Sequence, residues 1–185
     1  RGIASHLKSI GKTMIITTEI EHHAVLNTCK DLEKDGFTVI YMPIDQDGRV
    51  DIEELNRVME KYKDQIGLVS IMAVNNEIGS IQLLEDIGDL CQEYHVLFMT
   101  DAVQAYGHIP LDVNEYHIDL LTASGHKVHA LKGIGILYVR DGIPMKSIIT
   151  GGGQERGLRA GTENVFGIIS MGAATEGLAK TMNCL

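Results

Sequence analysis

Proline is scarce, at 3 in 185 residues, while glycine reaches 20. That balance excludes a proline-rich linker and makes glycine the backbone punctuation of a packed α/β chain. Basic residues are in deficit too, 16 against 25 acidic, for a formal net charge of -9. A negative surface repels phosphate backbones unless positive groups are concentrated locally. The nearest cluster, Arg156 with Arg159, lies beside Glu155 among glycines and is sized for one small anion. No nucleic-acid partner is expected. Long apolar runs are missing: residues 66–74 form the longest, interrupted by Ser70, far short of the roughly 20 residues a spanning helix needs. No membrane association is expected. Nor does an apolar signal-peptide core follow Arg1. Three widely spaced cysteines rule out a disulfide framework, and Cys29 and Cys91 fall on apolar helix faces as reduced thiols. The expected setting is a reducing compartment: the cytoplasm, or the mitochondrion if the parent protein carries a transit segment.

Short β-branched runs alternate with helical periodicity. Strands are predicted over 13–18, 37–42, 66–74, 96–100 and 119–123, with a further extended segment over 133–139. Helical spacing links Val25, Leu26, Cys29 and Leu32 until Gly36. It recurs through Leu55, Val58 and Met59 after the capping residue Asp51, and through Leu84, Ile87, Leu90 and Cys91. A last helix is predicted from Thr162 or Glu163. The alternation predicts a mostly parallel sheet with helices on both faces. Residues 1–9 read as the tail of a helix already under way, and the last helix lacks an evident cap. The expectation is a single large domain over 1–185, truncated at both ends, with a smaller domain absent.

In parallel sheets ligands sit outside the carboxyl ends of the strands. Three predicted strand ends deliver polar residues there: Asn75 and Asn76, Asp101 with Gln104, and Ser124 with His126 and Lys127. A lysine in that last turn, partly desolvated, acts as an amine nucleophile toward an aldehyde. A cofactor with an aldehyde, a phosphate and a basic ring nitrogen asks for a Lys, hydroxyl or backbone donors, and an Asp or Arg. Lys127, Ser124 and Asp101 supply that set, which points to pyridoxal 5'-phosphate. His22, at the base of a helix, is either a capping residue or an imidazole lying over the ring and moving protons. A metal site built on His22, His23, His126 and His129 is not expected, because no common zinc-ligand spacing occurs.

Six separated stretches carry a resemblance over nearly the whole chain: TEIEHHAV at 18–25, VNNEIG at 74–79, TDAVQAYG at 100–107, SGHK at 124–127, KGIG at 132–135 and GGGQERGLRAGT at 151–162. In order and spacing they resemble the cysteine desulfurases of the class-V aminotransferase group of fold type I enzymes. The resemblance implies Lys127 as the Schiff-base lysine, Asp101 on the pyridine nitrogen, Gln104 on the phenolic oxygen and Asn76 beside it. It implies His22 stacked on the ring with a proton-transfer role, and Ser124 and His126 on the phosphate. Thr162 matches a threonine that reaches the cofactor phosphate of a partner subunit, which implies a homodimer.

The implied activity is conversion of L-cysteine to L-alanine, with sulfur passing to an enzyme cysteine persulfide. From there it would go to an iron–sulfur cluster scaffold or another acceptor protein. Two departures qualify this. Ala130 and Leu131 stand where the family often has Gly-Pro, implying a less rigid loop. The family's upstream phosphate loop, its nucleophilic cysteine loop and its substrate-carboxylate arginine match nothing in 1–185, so the chain alone is expected to be inactive. A selenocysteine lyase, another class-V enzyme such as an aminotransferase, and a non-catalytic fragment that only binds a partner remain as alternatives.

Overall fold

A computed structural model describes residues 1–182; Cys184 lies outside the described residues. Six strands form one sheet in the order β2-β1-β3-β4-β5-β6: β1 (Met14–Thr18), β2 (Thr38–Met42), β3 (Ile66–Ser70), β4 (Leu97–Asp101), β5 (Leu120–Ser124) and β6 (Gly135–Val139). The first five run parallel, and β6 returns antiparallel to β5. The mostly parallel α/β architecture read from the sequence is the observed one. β1 and β3 are adjacent interior strands buried along their whole length, which is why they read as unbroken apolar and β-branched runs.

The sheet is covered on both faces. Met14 and Ile16 point to the layer of α3 (Ile52–Tyr62) and α4 (Leu84–Glu93), where Leu55, Met59, Ile87 and Cys91 are buried. Ile15, one residue out of phase, points to the opposite layer of α1 (Ala4–Ser9) and α2 (His23–Lys34), with Leu7 and Leu32. Asp51 caps α3 by accepting the Glu54 N–H at 3.0 Å, as its position predicts. Glycine at 88 lets α4 approach closely, since a Cβ there would stand 2.0 Å from the Tyr116 carbonyl oxygen.

The two largest shifts from the predicted boundaries each have a local reason. The β3 strand ends at Ser70 rather than Val74. Ile71 and Ala73 still donate to the carbonyls of Met99 and Asp101 on the β4 side, but the Met72 N–H turns to the Glu21 carboxyl instead of to β1. The last helix, α5 (Val165–Met182), begins after Asn164, whose side-chain oxygen accepts the Gly167 N–H at 3.1 Å.

The amino end of β5 is locked by a cluster that the sequence did not announce. Arg140 donates from Nε to Asp119 (3.0 Å) and from one terminal nitrogen to the carbonyls of Val113 (2.8 Å) and Ile118 (2.9 Å). The other Asp119 oxygen accepts the Phe98 N–H at 2.9 Å. Removing the guanidinium leaves a part-buried carboxylate and two carbonyls short of donors. Arg140→Ala should therefore cost about 2–3 kcal/mol, read as a lower urea midpoint at unchanged slope.

Candidate active site

The strand order places the carboxyl ends of β1, β3, β4 and β5 side by side, with neighbours ~4.8 Å apart. The candidate residues stand along this edge: His22 after β1, Asn76 beyond β3, Asp101 and Gln104 at the end of β4, and Ser124, His126 and Lys127 at the end of β5. Thr162 is the exception, exposed in the loop before α5 with no hydrogen bond to the others among the described residues.

Asp101 is buried, at 8% exposure. Its Oδ1 accepts the Val103 N–H at 3.0 Å, which leaves Oδ2 for a ligand at the sheet edge. Gln104 follows in the turn where Ala105 and Tyr106 donate back to the Ala102 carbonyl, and it is half-buried. At the end of β5, Ser124 Oγ and His126 Nδ1 are 2.7 Å apart, so a hydroxyl and an imidazole act as one polar unit. The next turn is the short 3-10 segment Gly125–Lys127. Gly125 has no room for a side chain, because a Cβ would fall 2.6 Å from Ile134 and 3.1 Å from the Ala130 methyl. That contact packs the lysine turn against the chain leading into β6. The Leu131 N–H donates to Ser170 Oγ on α5 at 3.1 Å, so the loop that departs from Gly-Pro is tethered rather than loose.

The structure corrects the expectation of partial desolvation at Lys127. The side chain is exposed and has no ion pair or hydrogen bond among the described residues, because the three-residue turn carries it past the sheet edge. It is thus free to reach a ligand on that edge. His22 takes the capping role: its Nδ1 accepts the Ala24 N–H at 3.2 Å at the start of α2. By that bond its proton is assigned to Nε2, and the ring remains exposed.

Asn75 and Asn76, grouped by the sequence, divide their roles. Asn75 is buried and builds the turn, donating to the Ile20 carbonyl (2.7 Å) and accepting from Glu77 (2.8 Å) and Ile78 (2.9 Å). Asn76 is exposed and available.

Sequence reasoning missed Glu21. Only its place in TEIEHHAV marks it, and its burial depends on β3 lying alongside. It is 5% exposed, and burial, with a contribution from Asp101, pushes its carboxyl up to about 7. Because the raised value favours the protonated folded state, its contribution is most favourable below the ordinary carboxylate range. That contribution is lost as pH rises from about 4.5 to about 7. Glu21→Gln should flatten that part of the stability profile and leave the protein more stable above pH 7 by up to about 3 kcal/mol, measured by urea unfolding across pH.

Burial also pushes the Cys29 thiol up to about 11 and raises that of Cys91 further. Neither is a ready thiolate. Among the described residues no group of three or more His, Cys, Asp or Glu is arranged to hold a metal ion, and no helix is long and apolar enough to cross a membrane.

Against known families, the aminotransferase class-V model matches residues 2–183. The chain belongs to that family. Within the class-V group it is 49% identical over 176 residues to the cysteine desulfurase IscS of Clostridium botulinum, covering 95% of this chain and 43% of that protein. It is 47% identical over 179 residues to the mitochondrial cysteine desulfurase of Arabidopsis thaliana, covering 96% and 39%. A solved NifS-like protein superposes with a TM-score of 0.92 at 43% identity, covering 98% of this chain and 50% of that one. SspA in complex with cysteine superposes at 0.87 and 40%, covering 94% and 50%. This class-V chain spans less than half the length of the curated relatives it matches.

Proposed function

We propose that the protein is a pyridoxal-phosphate-dependent cysteine desulfurase, converting L-cysteine to L-alanine with sulfur passed to an enzyme cysteine and onward to an iron–sulfur scaffold or other acceptor. One observation carries the reading: a buried carboxylate, a free lysine and a paired hydroxyl and imidazole lie on adjacent strand ends of one parallel sheet. Their chemistry fits the cofactor, matching its ring nitrogen, aldehyde and phosphate in turn. The names of the relatives, and a structural neighbour solved with cysteine, favour this substrate.

When bound, the cofactor supplies an aldehyde carbon that captures amines and a protonated ring that draws electron density from the substrate. Asp101, through its Oδ2, would hold a proton on the ring nitrogen. Ser124 and His126 would take the phosphate, and Gln104 and Asn76 would serve the phenolic side. Lys127 would hold the cofactor through its amine and move protons at the substrate carbon. His22, with Nδ1 committed to α2, would offer its exposed ring and its Nε2 proton.

Buried, with their thiols pushed up, neither Cys29 nor Cys91 is suited to take the sulfur. Thr162 serves the phosphate of a partner's cofactor in a homodimer. The exposed Val165, Phe166 and Ile169 beside it on α5 provide apolar surface for such an interface. The setting is the cytoplasm or the mitochondrion, where thiols stay reduced.

The test is product analysis with the whole protein, pyridoxal phosphate and either L-cysteine or selenocysteine. Stoichiometric alanine from cysteine is expected, with one sulfide per alanine once a thiol reductant is added to reduce the persulfide, and with the 185-residue chain alone forming no persulfide on Cys29 or Cys91. Alanine formed only from selenocysteine would replace the reading with a selenocysteine lyase, and amino-group transfer to a keto acid with an aminotransferase.

A further inference from the structure

Glu21 is the buried carboxyl that the proposed chemistry leaves unused. It lies in the turn between β1 and α2, one residue before His22. Its Oε1 accepts the Thr18 hydroxyl at 3.0 Å and the Met72 N–H at 2.8 Å, tying the exit of β1 to the exit of β3. The preceding residue is tied the same way, through the Asn75 side chain on the Ile20 carbonyl. Its Oε2 is buried with no hydrogen-bond partner among the described residues. An ionised carboxylate in that position would leave a charged oxygen unsolvated, whereas a carboxylic acid keeps Oε1 as the double acceptor and carries its proton on Oε2. The neighbouring titratable groups are Asp101 at the end of β4, Cys29 on α2, and His22 and His23 next in the chain.

We infer that Glu21 is a positioning residue, whose neutral carboxyl pins the His22 turn to the backbone leaving β3 and so fixes the imidazole where the cofactor ring is to lie. From the helix side, His22 is held by its own bond to the Ala24 N–H. From the sheet side, Glu21 holds it. The second half of this inference rests on the cofactor reading; the first does not.

The experiment compares Glu21→Gln, which keeps an amide oxygen in the place of Oε1, with Glu21→Ala, which removes the bridge. In the chain without cofactor, Glu21→Ala should lower hydrogen-exchange protection of the Met72 amide by about tenfold and move the His22 ring NMR signals toward unstructured values. Glu21→Gln should hold the His22 signals near wild type and the Met72 protection at or above it. Thr18→Val, which removes only one of the two donors, gives a milder version if Glu21→Ala does not fold.

With pyridoxal phosphate added, Glu21→Ala should bind about tenfold more weakly by visible absorbance, and Glu21→Gln should restore binding. Wild-type protection and His22 signals in Glu21→Ala would overturn the inference, and so would a Glu21→Gln that behaves like Glu21→Ala. A wild-type chain that gives no visible band even at saturating pyridoxal phosphate would count against the cofactor reading, while the cofactor-free measurements still decide whether Glu21 pins the turn.

Discussion

Replacing Lys127 with Ala is expected to remove all covalent pyridoxyl label that borohydride fixes to the protein, and with it the visible absorbance that appears when pyridoxal phosphate is added. Lys127 stands in a turn just past β5, with no ion pair or hydrogen bond among the described residues, so its amine is available. Among the described residues no other lysine follows a strand end beside a buried carboxylate on the adjacent strand. The nearest alternative, Lys132, sits exposed further along the loop toward β6. Alanine deletes the amine and leaves the turn intact, because the packing there is made by Gly125, Ala130 and Ile134 rather than by the lysine. The substituted protein should melt like the wild type while retaining no label after reduction and proteolysis. Equal spectra and equal labelling in the two proteins would show that another amine carries the cofactor.

Asp101→Asn is expected to have the second largest effect. Asparagine keeps the shape and the Oδ1 acceptor for the Val103 N–H, but it cannot hold a proton on a ring nitrogen by charge. Asp101 is buried on a central strand, where water does little to weaken the pairing. Losing one partner of a buried pair costs on the order of 3 kcal/mol or more, so affinity for pyridoxal phosphate should fall about 100-fold. In the whole protein, if it has the proposed activity, turnover of cysteine should fall further, because an unprotonated ring draws less electron density. The measurement is equilibrium titration followed by initial rates at saturating cofactor. Undiminished affinity together with undiminished turnover would remove Asp101 from the site.

Both predictions were legible as residues before they were legible as a site. Strand ends at Asp101 and Ser124 follow from short β-branched runs that stop at polar residues, and the helix registers of Leu55 and Met59, or of Ile87 and Cys91, follow from spacing. Such features are local, so the chain announces them without knowing its neighbours. The motif around His22 was visible too, but only the fold showed that α2 begins on the imidazole while the ring stays exposed.

By itself, then, the sequence determined the α/β alternation, the parallel sheet that implies a ligand edge, and the residue types brought to that edge. Tertiary structure alone decided which of them are buried, tied or free. Placing β3 beside β1 buries Glu21 and turns Met72 toward it; placing β6 against β5 lets Arg140 gather Asp119 and two carbonyls. Tertiary structure also left Lys127 exposed where desolvation was expected and separated the structural Asn75 from the available Asn76. The reason is the same in each case: burial and hydrogen-bond partnership depend on strands that are distant in the chain, and periodicity within one segment carries no record of which strand will lie alongside it.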